Sequence, residues 1–455
     1  MSHSTDVGPP GNKTKTLRTT VEPTSQVVVN ALYATAIGVD VHHSLLVCAH
    51  QYIDFEKKEI VTEQAEFGCS FSEIEAFAQW CWDRQPDVVL MESTGVLWRS
   101  PYEKLEEVGF GKDRLALVNA RDVKAVCGRK TDSQDAQRLA EYARLGRFKK
   151  SFVPTKVFRD MRAVARAYRK AKDDLSRHMN RYQKDLNAAG CRATTAFSSV
   201  KGKSARIILE ACICGAPDLL KIIRANCGRL KASASKIHDA LRFNITGHIR
   251  ALLQNERRHL LTLEKRCAEL MALLANMQEP WQPLVELLMT LTGVKETAAR
   301  LILAETSDDL STFPGSECFA SWCGLCPGNN KSAGKEHGSR TPKGNAYIRK
   351  LLVECAHAVA LSRKGGLYLR HKAFRARMSA KKSIVATAHL LCRIIFAIIK
   401  RKVPYCPRPT SACRDAYARK LARAAEDARR AGIAVQGDSI YDKATGEVLS
   451  AFTAR

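Results

Sequence analysis

Between residues 35 and 118, short apolar runs alternate with stretches of helical period. Ala36 to Val41 is an apolar run with Asp40 at its end. Ser44 to Ala49 and Ile60 to Phe67 read as further strands. Ser70 to Arg84 carries Phe71, Ile74, Phe77, Ala78 and Cys81 on one helical face. Asp87 to Glu92 is a buried-type strand that again ends in an acid. Gly95 to Val108 reads as a helix and Leu115 to Val118 as a strand. This alternation predicts an α/β domain over residues 35–150 with a largely parallel sheet.

The period then changes. Val157, Met161, Val164, Tyr168, Ala171, Leu175, His178 and Tyr182 form a heptad seam on a long helix over residues 155–187. A second seam runs through Leu260, Leu263, Cys267, Leu270, Leu274 and Met277. The two helices can pair within the chain or between chains. Residues 151–280 therefore read as a coiled coil, with a basic helical insert at residues 190–250. Residues 281–405 are mostly helical around a polar, Gly-rich loop. Leu291-Thr292-Gly293-Val294 fits either a phosphate-holding helix-hairpin-helix turn or a plain glycine turn. Residues 1–34 read as a flexible basic tail. Residues 406–455 read as a basic extension with a helix from Ala412 to Ala431 and a terminal hairpin. The fold class is α/β plus α.

Composition sharpens the picture. The 455 residues hold 73 Lys and Arg against 46 Asp and Glu, a net charge of +27 that points to a nucleic-acid partner. No apolar run reaches membrane-spanning length, the nearest being Ile394 to Ile399, and the N-terminus shows no signal-peptide core. These features exclude a secreted or membrane-spanning protein and an acidic scaffold, leave a membrane surface as the weaker alternative to nucleic acid, and predict a cytoplasmic protein. The 16 cysteines lie in apolar segments and read as small core hydrophobes. Cys318, Cys323, Cys326 and His337 form a weak zinc alternative.

Four carboxylates carry the candidate chemistry. Asp40 and Glu92 end strands, where ligands of open α/β sheets sit. Asp132 and Asp135 share one face at the start of a helix. Singly, each reads as a strand-end or helix cap. Together in a basic domain they predict a two-metal site for phosphodiester chemistry, with hard oxygen ligands that favour Mg2+ or Mn2+. The charge run along the long helix, including Arg162, Arg166 and Arg169, reads as a nucleic-acid face or as solvated surface. In the later loop, Lys331, Lys335, Lys343 and Arg349 suit phosphates, with His337 beside them. By composition alone Ser332 is a turn serine.

These residues carry a resemblance. Gly38-Val39-Asp40, Met91 to Gly95 and Lys130 to Ala136 resemble the DEDD transposases of bacterial insertion sequences of the IS-one-ten family. Phe319 to Pro327, Ser332-Ala333-Gly334 and Lys343-Gly344-Asn345 with Arg349 resemble that family's second domain. The resemblance covers residues 35–405. It implies a RuvC-like, ribonuclease H-type domain whose Asp40, Glu92, Asp132 and Asp135 bind magnesium. It implies that Ser332 is a nucleophile forming a phosphoserine link to DNA. It further implies a noncoding bridge RNA that pairs with donor and target DNA, a homo-oligomer (dimer or tetramer) joined by the coiled coil, and active sites built from two subunits. The family has glycine directly after its nucleophile, whereas Ala333 intervenes here, and Ser339 is the substitute. Two rivals use the same residues differently. A RuvC-type junction nuclease would use water in place of serine, and a non-catalytic nucleic-acid-binding protein would need no metal.

Overall fold

The run from Thr35 to Val41 is apolar at nearly every position because it is covered on both faces. In the computed structural model it is a central strand of a six-stranded sheet. The structure describes residues 20–23, 31–57, 59–93, 95–119, 132–200, 202–228, 230–243, 245–328, 330–332, 335–338, 341–406, 426–428, 430–436, 439–442, 444–446 and 448–451. The chain divides into two compact units, residues 1–156 and 157–455.

The first unit holds β1 (Thr20–Pro23), β2 (Thr35–Val41), β3 (Leu45–Asp54), β4 (Glu59–Gly68), α1 (Phe71–Arg84), β5 (Val88–Glu92), α2 (Arg99–Glu107), β6 (Leu115–Val118) and α3 (Asp132–Arg144). The sheet order is β1-β4-β3-β2-β5-β6. It is mixed rather than largely parallel. β1 to β4, β4 to β3 and β3 to β2 pair antiparallel, while β2 to β5 and β5 to β6 pair parallel. The links from Val41 to Leu45 and from Asp54 to Glu59 are too short for a crossover, so they can only make hairpins. A second departure lies in the expected tail, where Thr20–Pro23 adds an edge strand to β4. A third is that α2 starts at Arg99, after a turn in which Gly95 has φ +57°.

Two apolar layers sandwich the sheet. Ile37, Val39 and Val41 point with Val89 and Met91 toward Phe77, Cys81 and Leu105 of α1 and α2. Ala36, Val88, Leu90, Ala116 and Val118 face Leu139 and Ala143 of α3. Alternation along β2 therefore sends Gly38 and Asp40 to the α3 side.

The second unit begins with α4 (Lys156–Ala188), followed by α5 (Ala193–Ala196), α6 (Lys203–Cys214), α7 (Leu219–Asn226), α8 (Ala234–Ala240) and α9 (Gly247–Met277). The short helices bury Ile208, Leu209, Ile223 and Ile237 in one cluster with Tyr182 and Leu186 of α4 and Leu253 and Leu260 of α9. The two long helices thus share a core within the chain. The seam starts one residue later than its heptads suggest: Val157 is 49% exposed and Phe158 is 1% exposed.

Then come α10 (Gln282–Met289), α11 (Glu296–Thr306), α12 (Ser316–Trp322), β7 (Asn330–Ser332), β8 (Lys335–Gly338), α13 (Ala346–Ser362), α14 (Gly365–Arg377) and α15 (Ala380–Arg401). Gly293, between α10 and α11, has φ +92°, and a Cβ there would meet the Cys355 carbonyl of α13 at 2.7 Å. That turn is a packing contact between helices. α15 is long and apolar enough to cross a membrane, yet its Leu391, Cys392, Ile395 and Ile399 are buried inside the unit. At the end, β9 (Ile433–Gln436), β10 (Ser439–Asp442) and β11 (Val448–Ala451) form an antiparallel sheet, one strand more than the expected hairpin. Most of the expected helix from Ala412 to Ala431 lies outside the described residues.

Candidate active site

Gly38 decides how the first unit builds its site. A Cβ at this position would collide with the Ala136 carbonyl and the Ala140 amide of α3. Only glycine lets the helix backbone lie directly on β2. A bond from the Gln64 amide of β4 to the Ser133 hydroxyl, 2.8 Å long, pins the first turn of that helix. The result brings the start of α3 over the end of β2. On the other side β5 runs parallel to β2, with Val39 opposite Met91, so Asp40 and Glu92 follow at the same level.

Asp40 is buried, with 10% of its side chain exposed, whereas the Asp132 side chain is 63% exposed. Between them sits His42, whose Nε2 is 3.1 Å from Asp40 Oδ2 and 3.6 Å from Asp132 Oδ1. These three side chains offer donor atoms that all lie within 4.8 Å of one another. Burial raises the Asp40 carboxyl above its ordinary value, His42 opposes this, and Glu92, Asp135 and Asp132 push it further up. All four expected acids thus act on one centre, but not equally. Glu92 and Asp135 stand outside the close group, and Asp135 Oδ1 lies 3.4 Å from Arg138.

Carboxylates that crowd a buried one and raise its proton affinity are what a divalent cation relieves, so the donor set fits such an ion. His42 is the residue that strand-end reasoning missed. Its signal was the spacing, since positions two apart on an extended chain share a face. No other described residues form a comparable group, and the zinc alternative gains nothing: burial raises the Cys323 thiol well above its ordinary value. The His337 side chain lies outside the described residues.

The raised Asp40 carboxyl has a measurable consequence. A folded-state shift upward means that stability is present below the ordinary value of 3.8 and is lost as pH rises through the raised one. In chelator at pH 7, Asp40→Asn is therefore expected to melt above the wild type. Added Mg2+ should raise the melting temperature of the wild type and leave that of the variant nearly unchanged. A variant that melts lower in chelator would make Asp40 a structural group.

In the second unit, Ser332 lies on β7, whose backbone pairs with β8 opposite Lys335. The side chains of Lys331, Ser332 and Lys335, and all of Ser339, lie outside the described residues. The segment carrying this hairpin is held at both ends. Gly324 has φ +70°, and a Cβ on it would meet the Gly344 amide at 2.9 Å; a Cβ on Gly344 would collide with Gly324 in turn. Next to Gly344, the Asn345 amide nitrogen donates to the Trp322 carbonyl at 2.9 Å. Asn345 Oδ1 caps α13 by accepting from the backbone of Tyr347 and Ile348. Its Nδ2 donates to Glu305 Oε2 at 2.8 Å.

Glu305 is the hub behind this loop. It is buried at the end of α11 and receives Arg166 through two bonds of 2.8 and 3.0 Å. Arg162 donates to its carbonyl at 2.6 Å and lies 3.5 Å from its carboxylate. Arg169 forms a matching two-bond pair with Glu354, 2.8 Å each. Arg162, Arg166 and Arg169, expected at a nucleic-acid face, thus close on carboxylates inside their own unit. Of the other expected cations, Lys343 is exposed and Arg349 is half-buried.

A mixed sheet of this order, with carboxylates at the ends of adjacent strands and on the helix that crosses them, is consistent with a ribonuclease H-like domain. Residues 37–190 match the model of the IS110-type DEDD transposases, described as a transposase, and residues 285–372 match the transposase IS116/IS110/IS902 family. The chain belongs to the IS110 family of transposases, enzymes that cut and transpose DNA with the help of divalent metal. No curated protein matches it.

Proposed function

We propose that the chain is an RNA-guided DNA recombinase that cuts and rejoins strands through a phosphoserine at Ser332. Asp40, Glu92, Asp132 and Asp135 would hold magnesium, which stabilises charge on the phosphate oxygens. The Ser332 hydroxyl attacks a DNA phosphorus, the Oγ–P bond forms, and a sugar oxygen leaves, taking up a proton. Rejoining reverses this with a different strand end. The covalent link conserves the bond energy, so no nucleotide cofactor is needed. The observation that carries the metal-dependent part is the Asp40, His42 and Asp132 group. Ser332 is supported by its place on β7, inside the matched span of the second unit.

The net charge of +27 supports two polyanion partners, donor and target DNA together with a noncoding bridge RNA. The nucleic-acid contacts in this reading are Lys331, Lys335, Lys343 and Arg349. The protein would work as a homo-oligomer in the bacterial cytoplasm, at the nucleoid.

The test is a denaturing gel after incubation with end-derived RNA, matched DNA and Mg2+. The expected result is a protein–DNA adduct that survives SDS in the wild type and in Ser339→Ala, and is absent in Ser332→Ala. Cleaved DNA without an adduct in both wild type and Ser332→Ala would replace this reading with a water-using nuclease.

A further inference from the structure

We propose that His42 is itself a metal ligand, so that the centre binds its cation through a mixed nitrogen and oxygen donor set. The inference rests on the metal-centre reading above and adds a residue to it. Nε2 of His42 faces two carboxylate oxygens, at 3.1 Å on Asp40 and 3.6 Å on Asp132. A neutral imidazole cannot present a lone pair to two carboxylates at this range, because all three groups are then acceptors. A hydrogen on one of the three groups, as in the neutral Nε2–H tautomer, or a cation among them accounts for the approach.

The separations suit the second occupant. Ligands at about 2.1 Å from one ion and at right angles around it lie about 3.0 Å apart, and wider angles open this toward 3.6 Å. The nitrogen therefore already stands where a neighbouring ligand of a bound ion would be. The backbone helps to hold it there, since the His42 amide donates to the Leu45 carbonyl at 2.9 Å and closes the turn after β2. His43, the next residue, is exposed and belongs to no such group.

A nitrogen donor changes which ion the site prefers. Carboxylates alone suit magnesium, whereas imidazole adds affinity for transition-metal ions. The centre should therefore hold Mn2+ more tightly than an all-oxygen site would, with His42 as the cause.

The experiment loads the full-length protein with MnCl2 and records electron spin-echo modulation of the bound ion. The expected spectrum shows nitrogen-14 coupling in the wild type and in His43→Gln. In His42→Gln the coupling is lost, Mn2+ affinity falls about tenfold, and Mg2+ affinity changes little. Bound Mn2+ without nitrogen coupling in the wild type, or coupling that survives in His42→Gln, would overturn the assignment and leave the carboxylate centre standing. No Mn2+ bound by the wild type, with the fold intact, would overturn the metal-centre reading and the inference with it. Asp40→Asn locates the bound ion: loss of Mn2+ there assigns the signal to this centre, and unchanged binding places the ion elsewhere and rejects the proposal.

Discussion

Gly38→Ala is expected to cost the first unit about 3 kcal/mol or more and to abolish transposition. The added methyl group would land on the Ala136 carbonyl and the Ala140 amide of α3, which are backbone atoms that no rotamer change can clear. Overpacking of a core that can adjust its side chains costs about 1–3 kcal/mol. Here the whole helix must move instead, and Asp132 and Asp135 move with it. Chemical denaturation of the purified variant would measure the first effect, and a strand-exchange assay the second. A variant that keeps wild-type stability and activity would show that α3 does not need to lie so close to β2.

Glu305→Ala is expected to have the other large effect, a loss of about 3 kcal/mol in the second unit, the lower end for a buried pair because Arg166 is partly solvated. The carboxylate is buried, and without it the guanidinium of Arg166 loses both of its bonds and Asn345 loses its anchor. Arg162, with 15% of its side chain exposed, is left largely desolvated without its partner, while Arg166, at 36%, can take up water. Arg166→Met combined with Glu305→Leu should recover much of the loss. Urea unfolding of the two singles and the double would measure the coupling, and additive costs would show that the pair is not a unit. The same geometry means that reversing the charge of Arg162, Arg166 and Arg169 would unfold this region before it changed any salt dependence of binding.

What the sequence made legible follows from the range of the forces involved. Asp40 and Glu92 could be found because a strand that ends in an acid is a local pattern, and α1 because its apolar face repeats within a few residues. Strand direction could not be read from apolar runs, since β2 looks the same in either orientation; only the short link from Val41 to Leu45 carried that information. β1 joins β4 through backbone pairing, which leaves no pattern in Thr20 to Pro23. Gly38 stood inside a recognised motif, but its reason is a helix about 100 residues later. The arginines of α4 show the same limit. A run of charge announces itself locally, while its partners Glu305 and Glu354 lie far along the chain. His42 was hidden beside a stronger signal at Asp40.

The clasp between Gly324 and Gly344 bears on how such a protein can change over time. Because two backbones meet there, the residues between them leave the helical framework and return to it at one fixed point. Doubling the length of a flexible excursion costs only about 0.6 kcal/mol in closure entropy. Substitution at either glycine, by contrast, breaks the point of closure itself. The serine-bearing segment can thus change in length at little cost, while a side chain at either of the two glycines that bracket it has nowhere to go.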